Sequence, residues 1–305
     1  MKLLYFASIA LVFIASFSLG FVTRAKEVGV STYDIGQVSA LPVLTKTNSF
    51  PVLSGQGVIA VDADSNVTLY EKNADGRLYP ASTTKIVTAL VAFDYYKLDQ
   101  VITVHGINVE GQNMGLAEGE EITFDSLVNG LLIYSANDAA ETLAANYAGG
   151  RESFINAMNN KARELHLDHS HFANPVGLDD DTQVTTARDM VRLSQVAMKN
   201  PYFAAIVGTR EKTVTSTDGR IMHNLKNVNQ LLGRVDGVAG IKTGWTEAAR
   251  ENLVTYVNRG NRKVFIAILG SADRFGETKE LIDWIYGSYE WQAVPFYTKA
   301  ISRLF

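Results

Sequence analysis

Short β-rich segments near both ends of a long chain are the feature that most limits the fold. The first pair, GVIAVDA and VTLYEKN, flanks the turn-forming residues Asp64, Ser65 and Asn66, and this pattern predicts a hairpin. The second pair lies within NLVTYVNRGNRKVFIAILG. We therefore expect one antiparallel sheet that is assembled from the two ends of the sequence.

The sequence between these segments is mainly helical in pattern. Leu127 and Leu131 recur at helical spacing, and NDAAETLAANYA predicts a second helical run. Thr186 and Asp189 have the spacing of a capping box at the start of a further helix. These patterns predict an α/β (α+β) fold, in which helices flank the antiparallel sheet and a helical lobe is inserted between its two parts.

Composition excludes several classes of site and partner. The 305 residues include no cysteine, which removes thiol nucleophiles, disulfides and thiolate zinc sites. The net charge of -4 and the lack of Lys/Arg-rich runs argue against nucleic acid as a partner. His166, His169 and His171 do not share a helical face, so we expect no metal, and nothing indicates a cofactor.

The amino-terminal region predicts membrane targeting. No charge occurs from Leu3 to Val22, a length that spans roughly 30 Å as a helix. Residues 1–25 are therefore either a signal peptide or an N-terminal membrane anchor, and the sequence leaves both open. We interpret residues 26–52 as a linker, 53–290 as one folded domain and 291–305 as an aromatic C-terminal tail.

The stretch PASTTK places a hydroxyl and an amine at the start of an apolar helix. Pro80 suits a helix entry, and Ser82 and Lys85 lie three residues apart, so their side chains share one face. A serine needs a base to act as a nucleophile, and a lysine can serve once desolvation lowers its pKa. A helix-start serine beside a solvated lysine is the alternative interpretation.

Two further short motifs carry polar groups. Ser135 and Asn137 stand in a turn between two helical runs, where they can face one cleft or simply cap a helix. Lys242 and Gly244 share one face of a strand, Thr243 points to the other, and the glycine permits close approach of a ligand backbone. Each motif alone is a weak signal.

Taken in order, the three motifs resemble those of the penicillin-binding proteins and serine β-lactamases. The sequence from 57 to 290 resembles most the low-molecular-weight penicillin-binding proteins, which are serine-type D-alanyl-D-alanine carboxypeptidases of the peptidase S11 family. The resemblance is carried by the blocks YPASTTKIVTAL, LLIYSANDAAETLA, HFANPVGLDD and GIKTGWTEAARENLV. It implies a β-lactamase/transpeptidase-like fold and makes residues 53–290 a serine transpeptidase-like catalytic domain.

The resemblance also implies roles for the motif residues. Ser82 is the expected acyl-forming nucleophile, and Lys85 is its expected general base. Ser135 is expected to relay a proton to the leaving D-alanine and to be held by Lys242.

Substrate contacts follow from the same resemblance. Asn137 is expected to bind the amide carbonyl of the substrate, and Thr243 the terminal carboxylate with help from Arg274. The backbone N–H groups of Ser82 and Trp245 are expected to form the oxyanion hole.

The implied activity removes the terminal D-alanine from peptidoglycan stem peptides through an acyl-enzyme that β-lactams also form. Such an enzyme acts outside the cytoplasm, on the periplasmic or cell-wall face, and here it is either secreted or attached to the cytoplasmic membrane by its N-terminal segment. A D,D-endopeptidase of the same superfamily and a non-catalytic penicillin-binding sensor are the alternatives. The Glu-x-x-Leu-Asn pattern of common β-lactamases is absent downstream of Ser135.

The sequence also departs from the resemblance. A second β-rich domain is common in the family but is not recognisable here, so the N-terminal segment is the expected anchor if it is retained. Val176 and Trp245 stand where many relatives carry polar or smaller residues. These two positions leave the preference for the substrate open.

Overall fold

The computed structural model describes residues 40–46 and 49–293, which form eleven strands and seven α-helices. The strands are β1 (Leu41–Leu44), β2 (Gly57–Asp62), β3 (Thr68–Lys72), β4 (Val101–Thr103), β5 (Glu121–Thr123), β6 (Glu211–Thr215), β7 (Met222–Lys226), β8 (Val238–Thr246), β9 (Arg250–Arg259), β10 (Arg262–Ser271) and β11 (Tyr289–Gln292). The α-helices are α1 (Lys85–Tyr95), α2 (Phe124–Asn129), α3 (Asn137–Ala145), α4 (Gly150–Glu164), α5 (Ala187–Ala197), α6 (Pro201–Val207) and α7 (Arg274–Ser288). A 3-10 turn, Ala81–Thr84, precedes α1, and a π-helical turn, Gly130–Tyr134, follows α2.

The central sheet has five strands in the order β3-β2-β10-β9-β8, and every neighbouring pair is antiparallel. The predicted hairpin supplies β2 and β3, and the β-rich segments near the end of the sequence supply β9 and β10. The prediction of one antiparallel sheet from both ends of the chain is confirmed. Helices α1 to α6 and two small hairpins occupy the sequence between β3 and β8.

The sheet is buried on both faces because helices pack against each side. Ile59 belongs to a core that includes Ile86 of α1, whereas its neighbour Val58 belongs to a core that includes Leu281 and Ile285 of α7. Successive residues of a strand point to opposite faces, so one strand contributes to both cores. This arrangement explains why all six residues of β2 are buried.

Thr186 caps the amino end of α5, as the capping pattern predicts. Its hydroxyl accepts a hydrogen bond from the backbone N–H of Asp189 at 3.0 Å. The Asp189 carboxylate accepts from the His169 N–H and the Ser170 hydroxyl, at 3.1 and 2.8 Å. Asp189 therefore ties the loop that follows α4 to the start of α5, a role that the local pattern does not reveal.

The predicted membrane-targeting segment, residues 1–25, lies outside the described residues. Within the described ranges, no helix combines the length and the apolarity that a bilayer crossing requires. The range predicted as a linker contains β1, which pairs antiparallel with β11.

Glu277 of α7 fixes the segment that enters the sheet. Its carboxylate accepts hydrogen bonds from the N–H groups of Ser54 and Gly55, at 2.6 and 3.1 Å, and from the Ser271 hydroxyl at 2.7 Å. Partial burial acts to raise the pKa of Glu277, but the hydrogen bonds outweigh it and the pKa is lowered. The ionised carboxylate therefore stabilises the fold.

We expect Glu277→Gln to lower the free energy of unfolding by about 1 kcal/mol at pH 7, because the amide cannot accept all three bonds. A carboxyl group whose pKa is lowered by folding stabilises above its unfolded pKa of about 4.3, and this contribution is lost as the pH falls through the folded value. The difference from wild type should therefore shrink below about pH 4. Urea unfolding at several pH values measures it. Glu280→Gln, at an exposed position of α7, is the control, and an equal loss there would contradict the assignment.

Candidate active site

Ser82, the predicted nucleophile, lies in a turn immediately before the helix that was expected to contain it. Ser82 belongs to the 3-10 turn that precedes α1. The Pro80 carbonyl accepts from both the N–H and the hydroxyl of Thr83, at 3.2 and 2.6 Å, which closes the turn. Ala81 has a left-handed backbone with φ of 47°. The turn therefore presents Ser82 at the surface of a cleft while its neighbours are buried.

Lys85 is enclosed directly behind Ser82. Its Nζ donates to Ser82 Oγ at 2.9 Å and to the Val176 carbonyl at 2.7 Å, and its side chain is 0% exposed. Burial disfavours the charged form and lowers the pKa of Lys85 to about 7, despite the opposing effect of Glu141 and Asp138. A substantial fraction of Lys85 is therefore neutral near pH 7, as a general base must be.

The second serine-lysine pair stands across the cleft. Lys242 Nζ on β8 donates to Ser135 Oγ at 2.8 Å and to the Thr243 carbonyl at 3.0 Å. Ser135 ends the π-helical turn with a left-handed backbone, φ 66°. Burial, followed by the positive charges of Lys85 and Arg274, lowers the pKa of Lys242 well below its usual range.

The motif residues surround one cleft of about 540 Å³. Its lining includes the residues that the three motifs predict, together with the NPVGL loop and Arg274: Ser82, Ser135, Asn137, Val176, Gly177, Thr243, Gly244, Trp245 and Arg274. Lys85 and Lys242 lie behind this lining, and each donates a hydrogen bond to a serine that lines the cleft.

Two side chains on the cleft retain unused hydrogen-bonding atoms. Asn137 donates through Nδ2 to the Glu110 carbonyl at 2.5 Å, and its buried Oδ1 has no partner among the described residues. Arg274 donates through Nη1 to the Gly244 carbonyl at 2.8 Å, and its Nε has no partner there either. Burial lowers the pKa of Arg274, although Glu251 opposes the shift. The indole of Trp245, 63% exposed, stands on the rim of the cleft.

Asn174 shapes the loop that faces Ser82, a role that the three motifs do not indicate. Its side-chain oxygen accepts from the N–H groups of Gly177 and Leu178 at 2.7 and 3.1 Å. Gly177 has φ of 92°, and a Cβ there would lie 1.9 Å from the Ala81 carbonyl oxygen. The glycine in NPVGL was the available signal, because only glycine permits this backbone and this contact.

Asp138 holds the loop that contributes Gly111 and Gln112 to the lining of the cleft. Its carboxylate accepts from the backbone N–H groups of Met114, Gly115 and Leu116 at 2.9 to 3.1 Å. The loop that contains them also provides the carbonyl bound by Asn137. The residue after the Ser-x-Asn motif therefore anchors the loop beside it.

The histidine-rich stretch takes no part in this cleft. The ring of His171 contacts the Thr182 carbonyl at 2.9 Å. In residues 40–46 and 49–293, no three or more His, Asp or Glu side chains are grouped so that they can hold a metal ion.

Comparison with known proteins agrees with this geometry. Residues 44–273 match the model of the peptidase S11 family, described as D-alanyl-D-alanine carboxypeptidase. The D-alanyl-D-alanine carboxypeptidase DacB2 of Mycobacterium tuberculosis is 34% identical over 77% of this chain and 84% of its own length. DacF of Bacillus subtilis, a D-alanyl-D-alanine carboxypeptidase, is 32% identical over 77% of this chain, but the match spans only 63% of DacF.

A solved structure gives the same result for the fold. The crystal structure of the Streptomyces K15 DD-transpeptidase matches with a TM-score of 0.75 and 30% identity, over 79% of this chain and 100% of that one. This match confirms the predicted transpeptidase-like fold. From the family match and these relatives, the chain belongs to the peptidase S11 family of serine-type D-alanyl-D-alanine carboxypeptidases.

Proposed function

We propose that the protein removes the terminal D-alanine from peptidoglycan stem peptides through an acyl-enzyme on Ser82. The observation that carries the proposal is the 2.9 Å hydrogen bond between Ser82 Oγ and the fully buried Lys85. A solvated lysine would be protonated near pH 7 and could not accept the serine proton. Burial removes that obstacle, and Ser82 remains open to the cleft.

Acylation begins when neutral Lys85 accepts the proton of Ser82 and Oγ attacks the carbonyl carbon between the two D-alanines. The carbonyl oxygen becomes an oxyanion, for which the backbone N–H groups of Ser82 and Trp245 are the proposed donors. When the tetrahedral intermediate collapses, the C–N bond breaks and the nitrogen of the leaving D-alanine takes up a proton.

Ser135 is the proposed carrier of that proton. Its hydroxyl receives a hydrogen bond from Lys242, so its own proton is free to point into the cleft. The proton that Lys85 took from Ser82 then passes to Ser135, which restores that hydroxyl and leaves Lys85 neutral. Neutral Lys85 accepts a proton from the water that attacks the ester on Ser82, and it returns this proton to Oγ as the shortened peptide leaves. This sequence restores both serines and needs no cofactor.

Substrate orientation is assigned to the polar groups around the nucleophile. Asn137 has one amide oxygen without a partner, which suits an N–H of the substrate, and its Nδ2 can donate to a carbonyl. Arg274 and Thr243 stand on the β8 side, where a guanidinium and a hydroxyl suit a terminal carboxylate. A β-lactam places a strained amide in the same position and acylates Ser82.

The stem-peptide substrate places the domain outside the cytoplasm, at the periplasmic or cell-wall face. We further propose that residues 1–25 direct it there as a signal peptide or a membrane anchor, because 20 uncharged residues match a bilayer core of about 30 Å. In that setting the enzyme would trim stem peptides and so influence cell-wall structure and cell shape.

We expect Ser82→Ala to abolish both D-alanine release from a pentapeptide ending in D-Ala-D-Ala and covalent labelling by fluorescent penicillin. Lys85→Ala should slow labelling by at least about 100-fold, since general-base catalysis contributes roughly that much. Ser65→Ala, in the distant β2–β3 turn, is the control.

Labelling that persists in Ser82→Ala would contradict the choice of nucleophile. Labelling of the wild type without release of D-alanine would instead favour a D,D-endopeptidase or a penicillin-binding sensor.

The rate of acylation should rise with pH through about 7. The reactive form of Lys85 is neutral, and with a pKa of about 7 its neutral fraction increases about tenfold between pH 6 and pH 8. Stopped-flow acylation by a penicillin over this range measures the midpoint. A rate that is constant or falls between pH 6 and pH 8 would show that Lys85 is not the titrating base.

Arg274→Ala should raise KM for a peptide with a free terminal carboxylate by roughly tenfold, since a charge-assisted hydrogen bond is worth up to about 3 kcal/mol. The same peptide with a C-terminal amide lacks the charge, and its KM should be similar for wild type and variant. An equal rise for both peptides would assign Arg274 to supporting β8 through the Gly244 carbonyl.

A further inference from the structure

A buried amide on β9 holds the backbone that leads to the nucleophile. Asn252 is 0% exposed, and its Nδ2 donates to the carbonyls of Tyr79 and Pro80, at 2.9 and 3.0 Å. Its Oδ1 accepts from the backbone N–H of Gly270 at 2.8 Å. Both amide protons and the oxygen are therefore used, and one side chain links β10 to the residues just before Ser82.

Gly244 completes this support from the neighbouring strand. It is the residue opposite Asn252 in the β8–β9 ladder. A Cβ on Gly244 would lie 3.0 Å from both the Ala81 Cβ and the Ser82 nitrogen. The glycine gives the turn room to approach, and Asn252 supplies the hydrogen bonds that hold it there.

The direction of the Ser82 N–H depends on this support. Ala81, between Pro80 and Ser82, has the left-handed φ of 47°, a conformation that a non-glycine residue keeps only where its surroundings hold it. The Pro80 carbonyl on one side of Ala81 is fixed by Asn252. The next peptide, which carries the Ser82 N–H, lies close to both Gly244 and Gly177.

We propose that Asn252 is a positioning residue for acylation, which keeps the Ser82 N–H aimed at the developing oxyanion. The proposal rests on the proposed function, in which that N–H is an oxyanion donor. Asn252 does not reach the substrate, because it lies beneath the turn with every polar atom committed to backbone groups. Its effect is therefore on the rate of bond formation and not on the encounter complex.

Asn252→Asp is the most specific change, because the shape is kept while the amide donor becomes an acceptor that faces two carbonyl oxygens. Stopped-flow kinetics with a penicillin separates the dissociation constant of the noncovalent complex from the acylation rate constant. We expect the rate constant to fall roughly 100-fold, the size of losing one oxyanion donor, while the dissociation constant is unchanged. A peptide boronic acid, whose adduct with Ser82 mimics the tetrahedral intermediate, should bind more weakly by a similar factor.

Asn159→Asp is a matched control. Asn159 on α4 donates to the Ile155 and Phe172 carbonyls and accepts from the Phe172 N–H, the same pattern of two donors and one acceptor, away from the cleft. This variant should lose thermal stability and keep the wild-type acylation rate constant. Asn252→Ser, which lacks the reach to bond both carbonyls, replaces Asn252→Asp if the latter does not fold.

Three results would overturn the proposal. The first is a folded Asn252 variant with an unchanged acylation rate constant. The second is a rise in the dissociation constant of the noncovalent complex by a similar factor. The third is an equal fall in the acylation rate constant of Asn159→Asp. Either of these last two results would indicate general loosening of the fold. Absence of acylation of Ser82 in the wild type would instead overturn the proposed function and this inference together.

Discussion

The exclusion of water from Lys85 is the constraint on which the rest of the site depends. A lysine can serve as a base near neutral pH only if its charged form is destabilised. Here complete burial destabilises the ammonium by removing its water. Burial in turn demands acceptors for the amine, which are the Ser82 hydroxyl and the Val176 carbonyl. The contact of α1 with the NPVGL loop, to whose carbonyls Lys85 and Thr88 both donate, is therefore part of what keeps Lys85 buried.

Three basic side chains lie at the cleft, and they differ in burial and in hydrogen-bond partners. Lys85 and Lys242 are enclosed, each with a serine hydroxyl and a backbone carbonyl as partners. Arg274 is only partly enclosed and keeps one N–H without a partner among the described residues. A guanidinium keeps its charge where a buried amine loses it. The site thus combines two amines whose charged forms are disfavoured by burial with a guanidinium that keeps its positive charge.

The sheet and the three motifs could be predicted from sequence because their signals are local. The apolar runs of β2, β9 and β10 and the spacing of Ser82 and Lys85 lie within short stretches. The role proposed for Asn252 could not be predicted, since the carbonyls it binds belong to Tyr79 and Pro80, 173 and 172 residues earlier. The four-residue strand β1 is mostly exposed and pairs with β11, which is distant in sequence, so its own sequence carries little signal.

The position of Trp245 gives the cleft a spectroscopic reporter. The sequence contains three tryptophans, of which Trp284 is buried in the core behind the sheet and Trp291 is half-buried in β11. Trp245 alone of these three lines the cleft, and most of its indole is in water. A peptide or β-lactam that enters would displace that water and change the indole emission. Occupancy of the cleft can therefore be followed in the unlabelled protein, separately from bond formation at Ser82.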